Sequence, residues 1–302
     1  MTRSINAAND RYLDALSRIN ERVARAQREV STGKRVAKPS DDPDSISAML
    51  QVRAELGRIE QSRVNLNRVK TEVDAAESGL QNAVKLFDRV RTLGMTAASG
   101  INTTLTRQGI ADELKSIIER FTGISNTGVD GRSIFAGDSD QGQAYEVDFA
   151  TQTPPWVAYL GSASTRKAIH PTGVEFGIAM TAREIFDNAD PAKNVFQSVE
   201  NLRQALLADD DAAIQTALVP LAGISAHLNS ALMFYGNAQS QVIEGITTAE
   251  TLKLRLAAEK AGIEDADLTA SILELELASF QQETALRVKA SSPSRSLFEY
   301  LK

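Results

Sequence analysis

The sequence predicts a mainly α-helical protein. Long antiparallel heptad helices form a rod-like bundle or coiled coil, and a small all-β domain is inserted at its tip. Three observations predict this. Apolar residues recur at alternating spacings of four and three along both arms of the chain. Long stretches without proline carry that pattern. From about Gly131 to Ala182 the period changes to short alternating runs divided by glycine and proline.

In the first segment Tyr12, Leu16, Ile19, Val23, Ala26 and Val30 place one apolar stripe on one helix face. Arg11, Arg18, Arg22, Arg25 and Arg28 enrich the polar face, and Gly33 ends the helix as a left-handed cap residue. Ser40-Asp41-Asp42-Pro43 reads as the next helix start: a capping hydroxyl, acids at the positive dipole end, and proline in the first turn. From Ile59 the seam runs through Leu66, Val69, Val73, Leu80, Phe87 and Val90. At 1.5 Å per residue a helix from Pro43 to Ser99 would be on the order of 80 Å long, so a rod is expected. Gly100 breaks it. Thr106 is the expected cap of a third helix, striped by Ile110, Leu114, Ile117 and Phe121, which returns antiparallel.

The β signals follow. Ser133-Ile134-Phe135 precedes a glycine turn, Tyr145, Val147 and Phe149 alternate with polar residues, and Trp156–Leu160 follows two prolines. Val174, Phe176 and Ile178 alternate after Pro171-Thr172-Gly173. Helix resumes after Asp190-Pro191 with Val195, Val199, Leu202 and Leu206. A further seam runs from Ile214 to Leu256, with a bend or late start at Pro220. Gly262 is expected to interrupt it. Asp265 or Asp267 then caps a last helix carrying Leu268, Ile272, Leu275 and Leu286. Its second row, Leu273, Leu277 and Phe280, asks for contacts on two sides. The expected domains are an N-terminal coiled-coil segment (1–40), a helical rod (41–130 with 182–262), the β insertion (131–181) and a C-terminal coiled-coil segment (263–302).

Composition argues against catalysis. Of 302 residues, 33 are Lys or Arg and 39 are Asp or Glu, a net charge of −6, which leaves no broad basic face for nucleic acid. There is no cysteine, so disulfides, thiolate nucleophiles and Cys-based metal sites are excluded. The two histidines, His170 and His227, are too far apart for a His-Glu-x-x-His site. Ser31-Thr32-Gly33-Lys34 lacks the upstream glycine of a phosphate loop and follows a helix rather than a strand. Asp41-Asp42, Asp209-Asp210-Asp211 and the Glu264, Asp265, Asp267 group read as helix-start acids rather than acid–base pairs or metal ligands. No catalytic, cofactor-binding or metal residue is predicted, and the chain is not expected to be an enzyme. Ala212–Ile243 carries no charge, but Gln215, His227, Asn229 and Asn237 speak against a membrane span; a buried helix is expected. The N-terminal residues lack the apolar core of a cleavable secretory signal.

The seams divide by place. Leu66, Val69, Val73, Leu80, Phe87, Ile117 and Phe121 are expected to form the rod core. Tyr12, Leu16, Ile19, Val23 and Val30 at one end, and Leu268, Ile272, Leu275 and Leu286 at the other, are expected to form an assembly interface. The two end segments should lie side by side. Neither has a third element to cover its stripe, so both are expected to order fully only against neighbouring subunits.

At four places these residues resemble the bacterial flagellin superfamily, the first of them in the form of its hook-associated branch. They are Val30–Pro43 with its Ser-Thr-Gly-Lys and Pro-Ser-Asp-Asp-Pro, and Leu86-Phe-Asp-Arg-Val-Arg-Thr-Leu93 with Ala97–Gly100. Asn126-Thr127 with Gly131–Gly137, and Ile263-Glu-Asp-Ala-Asp-Leu268, complete the set in family order. The ending Ser294–Lys302 is similar to the short ending of that branch and lacks the longer pattern of filament subunits. The resemblance implies a structural protein of the flagellum that forms a ring at the junction between hook and filament. Its implied partners are copies of itself, an adjacent hook-associated protein, flagellin and an export chaperone, with no cofactor, no nucleic acid and no membrane insertion. It implies an extracellular place in the flagellum, reached without a cleavable signal. The alternative it leaves open is a compact flagellin that builds the filament itself.

Overall fold

The computed structural model describes residues 2–99, 103–139 and 142–291. Gly100 and the ending Ser294–Lys302 lie outside the described residues. The chain is mainly helical. In order come α1 (Thr2–Thr32), α2 (Ile46–Ala97) and α3 (Thr104–Ser125), then the strands β1 (Gly128–Val129), β2 (Arg132–Ser133), β3 (Lys167–Ile169) and β4 (Glu175–Gly177). The helices α4 (Ala182–Phe186), α5 (Val195–Leu207), α6 (Asp211–Leu218), α7 (Leu221–Glu264) and α8 (Leu268–Ser291) follow. Residues 1–57 with 253–302 form one compact unit, and residues 58–252 form a second.

Helix starts follow local chemistry more closely than the sequence pattern implied. Ser40 does not cap α2, and Asp41, Asp42 and Pro43 precede its first turn. The Asp41 carboxylate accepts the backbone N–H groups of Ala37 (3.1 Å) and Lys38 (2.7 Å), closing a turn upstream, and α2 begins at Ile46. Thr103, not Thr106, caps α3; its hydroxyl accepts the N–H of Thr106. Asp210 caps α6 by accepting from Ala212 and Ala213. Pro220 separates α6 from α7 rather than bending one helix. Gly262 is helical within α7, which runs on to Glu264. Asp267 opens α8 by accepting the N–H of Ala270 at 3.1 Å. The short α4 leaves no periodic trace. A capping box between Thr181 and Glu184 starts it.

In the second unit one core joins the helices to the irregular segment. Leu66, Val73, Leu80 and Phe87 of α2 are buried with Ile117 and Phe121 of α3, and half-buried Val69 packs against them. Gly94 lets α5 and α6 approach α2; a Cβ there would lie 2.5 Å from a Leu218 methyl and 3.1 Å from one of Leu202. Strands are fewer and shorter than the alternation predicts. β1 pairs with β2 and β3 with β4 as two antiparallel ladders, and Val147 bridges Trp156. The rest of 131–181 is held by aromatic packing. The Phe196 ring lies 5.4 Å from Trp156 and 5.2 Å from Tyr145, and Phe135 meets Tyr235 edge-on. Asn126 fixes the entry. Its Oδ1 accepts the N–H groups of Ala144 and Tyr145, and its amide donates to the Tyr145 carbonyl.

By length and composition the α6–α7 stretch is apolar enough to cross a membrane. Its Ile224, Leu228, Tyr235 and Val242 are instead buried in the core of the second unit, while Asn229, Ser230, Asn237 and Ser240 face outward.

Candidate assembly interface

The first unit pairs the two ends of the chain. α1 and α8 run antiparallel. The Tyr12 hydroxyl donates to the Ala285 carbonyl (3.0 Å), Arg22 donates to Glu274 (2.8 Å) and Gln281 (2.9 Å), and Ser271 donates to Glu29 (2.9 Å). Gln282 donates to Asn20, and the Lys289 ammonium sits 5.1 Å over the Tyr12 ring. The α1 stripe turns toward this seam: Tyr12, Leu16, Ile19, Val23 and Val30 are half-buried and Ala26 is fully buried. The ends thus cover part of each other's surface, more than two unpartnered helices would.

On α8 the seam is made of different residues from those the leucine pattern suggests. Ser271 and Ala278 are buried, Leu275 and Ala285 half-buried. Ser271, Ala278 and Ala285 recur every seven positions, and their small side chains let the two backbones approach. Of the four predicted α8 seam residues, only Leu275 joins this less exposed face. Leu268, Ile272 and Leu286 are about half exposed on the outer side, at 48%, 47% and 50%. The second row extends that outer surface: Leu273 is 69% exposed and Phe280 67%, with Leu277 between them. α8 therefore gives a mostly small and polar face, with Leu275, to α1 and leaves most of its large apolar side chains exposed. Covering one leucine fully is worth about 1.5–3 kcal/mol, and that stabilisation is unused in the isolated chain.

The α1–α8 pair is anchored by a short strap. Gly33 takes φ +69° and donates to the Glu29 carbonyl, ending α1 as its sequence predicts. The Gly33 carbonyl accepts the N–H of Ala266, and the Glu264 carbonyl accepts those of Arg35 (2.8 Å) and Val36 (3.2 Å). This brings Lys34 beside Asp265 in an antiparallel bridge. The Glu264 side chain, 5% exposed, collects three cations. Lys34 lies 2.7 Å and Arg53 3.2 Å from Oε1, and Lys260 lies 3.4 Å from Oε2. The Lys34 hydrogen bond, against the opposing effect of burial and with help from Lys260, holds the Glu264 carboxyl below its ordinary range. Arg35 ties the strap further, to Asp42 at 2.8 Å and to the Ile263 carbonyl at 3.0 Å. Sequence reasoning missed Glu264 as a hub, because Lys34 lies 230 positions away. Among the described residues, no group of three or more His, Cys, Asp or Glu side chains is placed to hold a metal ion.

Residues 4–140 match the model of the bacterial flagellin N-terminal helical region. The chain is 26% identical over 237 residues to flagellar hook-associated protein 3 of Escherichia coli, covering 72% of each chain. It is 25% identical over 105 residues to a flagellin of Clostridium tyrobutyricum, and there it spans 28% of that relative's length. A solved flagellar hook-associated protein from Vibrio parahaemolyticus shares the fold, with a TM-score of 0.65 and 21% identity over 74% of this chain and all of that one. The chain is similar to the flagellin N-terminal region over residues 4–140, and its likeness extends to hook-associated proteins in both sequence and fold.

Proposed function

We propose that the protein is a structural component of the bacterial flagellum, a hook-associated protein that joins hook to filament by helix packing. One observation carries this reading: α8 docks on α1 through small and polar residues and leaves Leu273, Leu277 and Phe280 bare. A row of large exposed apolar side chains along one helix face marks a surface for protein contacts. The likeness to hook-associated protein 3 over most of both chains supports the junction over the filament.

On this reading the outer face of α8 is covered by other copies in a ring, an adjacent hook-associated protein lies on one side, and flagellin lies on the other. The long helices act as a rod-like coiled coil, and the 131–181 segment is the small β-bearing part carried on it. The terminal stripes, Tyr12 to Val30 and Leu268 to Leu286, form the assembly interface, and the Leu66–Phe121 seam holds the rod. Export to the cell exterior without a cleavable signal, aided by a chaperone that shields α8, fits the same picture. The role is packing, not catalysis.

Electron microscopy of cells lacking the protein tests it. Hooks that end bare, with filament subunits shed into the medium, are the expected result. Loss of the filament subunit itself would favour the filament reading, which the Clostridium tyrobutyricum match supports over 105 residues.

A further inference from the structure

The bare face of α8 is not purely apolar, and α1 carries a surface that fits it. Arg11, Arg18 and Arg25 recur every seven positions on α1. Each stands one position before a seam residue, Tyr12, Ile19 or Ala26, and so lies about 100° round the helix from it. All three are exposed, and among the described residues they make no hydrogen bond or ion pair. Asp14 and Glu21, on the next row round, form no ion pair with them. Arg22 differs: it faces α8 of its own chain and is engaged with Glu274 and Gln281. On α8, Glu276 and Glu283 also stand seven positions apart and are exposed. Glu276 follows Leu273 by three positions and precedes Phe280 by four, and Glu283 follows Phe280 by three, so both acids sit on the bare apolar face. Glu283 holds only the exposed Arg287, one turn along, and Glu276 holds nothing among the described residues.

We propose that the bare face of α8 is covered by the arginine row of α1 from a second copy of this chain. The inference rests on the assembly reading and names the surface that does the covering. Arginine stems are aliphatic and cover apolar side chains, while their guanidinium groups pair with carboxylates. The row therefore matches Leu273, Leu277 and Phe280 interleaved with Glu276 and Glu283, and a guanidinium can also lie on the Phe280 ring. The seven-residue spacing is the same on both helices, so one contact repeats along their length. One α8 against another would instead bring the Glu276 and Glu283 rows together as like charges. Within one chain the contact cannot form, because α1 and α8 already meet through their other faces. Each copy thus offers its arginine row to one neighbour and its α8 face to another, a head-to-tail contact of the kind that closes into a ring.

The chain has no cysteine, so introduced thiols are the only ones. Cells lacking the native protein make two variants together, one with Arg18→Cys and one with either Glu276→Cys or Glu283→Cys, and their detached flagella are treated with a short bis-maleimide. Each chain carries a single thiol, so every linked product joins two copies. A link between the α1 variant and the α8 variant is expected for at least one of the two α8 positions. Links between α8 variants alone, or protein present in the flagella but unlinked, would overturn the proposal. A charge swap gives a second reading. Arg18→Glu with Arg25→Glu should cut filament restoration at least tenfold and leave the melting transition in place, and adding Glu276→Arg with Glu283→Arg should recover most of it. No loss, or a loss that the swap does not recover, contradicts the arginine row. Filament growth that fails with Leu277→Ser yet ignores charge reversal leaves the assembly reading standing and removes this one. Native protein absent from the flagella would remove the assembly reading itself.

Discussion

The Lys34 ammonium lies 2.7 Å from Oε1 of Glu264, joining residues 230 positions apart beside the end of α1 and the start of α8. The same segments are bonded through their backbones, Arg35 and Val36 to the Glu264 carbonyl and Ala266 to the Gly33 carbonyl. Backbone pairing sets the register of the strap, and the charge pair secures it where water has little access.

Replacing Glu264 with Gln removes the shared anion and leaves three cations without it. A loss of roughly 1–3 kcal/mol is expected, read by hydrogen exchange in α1 and α8. The pH dependence has a definite sign. The folded carboxyl sits below its ordinary value of 4.5, so the native state binds fewer protons than the unfolded chain as that value is approached. The stabilisation is complete above the unfolded value and is lost as pH falls through the folded one. Wild type should lose α1–α8 protection on acidification below about pH 4.5. Glu264→Gln should lose less over the same range, and equal losses in both proteins would contradict the assignment.

Leu80 and Phe87 are buried in the second unit, whereas Leu16 is half-buried in the α1–α8 seam. Leu80→Ala or Phe87→Ala should cost roughly 2–5 kcal/mol in thermal or denaturant unfolding. Leu16→Ala should cost about 1 kcal/mol or less, because part of its surface is already wet. Equal losses would show that the terminal pair is as firmly packed as the core.

Ala278 has no exposed surface where α8 meets α1. Ala278→Leu should therefore force the helices apart at a cost of about 1–3 kcal/mol, visible as faster hydrogen exchange along both. The neighbouring Ser279 is exposed, so Ser279→Leu should leave exchange in both helices close to wild type.

Much of the fold was legible because its helices obey one period. The α1 stripe from Tyr12 to Val30 is the less exposed face of α1, and the Leu66–Phe87 row is buried. α8 was harder. Its large apolar residues run along the outer side, and the seam follows Ser271, Ala278 and Ala285, whose heptad spacing is visible only when small residues are counted. The segment after Gly131 misled for another reason. Tyr145 and Trp156 sit in alternating runs, as in strands, yet they are buried by packing on Phe196 of a helix, with little strand pairing. The Glu264 hub left only one local sign, Lys260 four positions upstream, since Lys34 and Arg53 come from distant parts of the chain.

If the outer face of α8 exists to be covered by other subunits, it should be dispensable for folding and essential for assembly. Leu273, Leu277 and Phe280 changed together to serine separate the two, because all three are exposed in the isolated chain. The melting transition of the purified variant is compared with its ability to restore filament growth in cells lacking the protein. Melting close to wild type, together with bare hooks, is expected. Restored filaments would contradict the role of this face, and so would a variant that unfolds, since that would show the face to be covered within the chain itself.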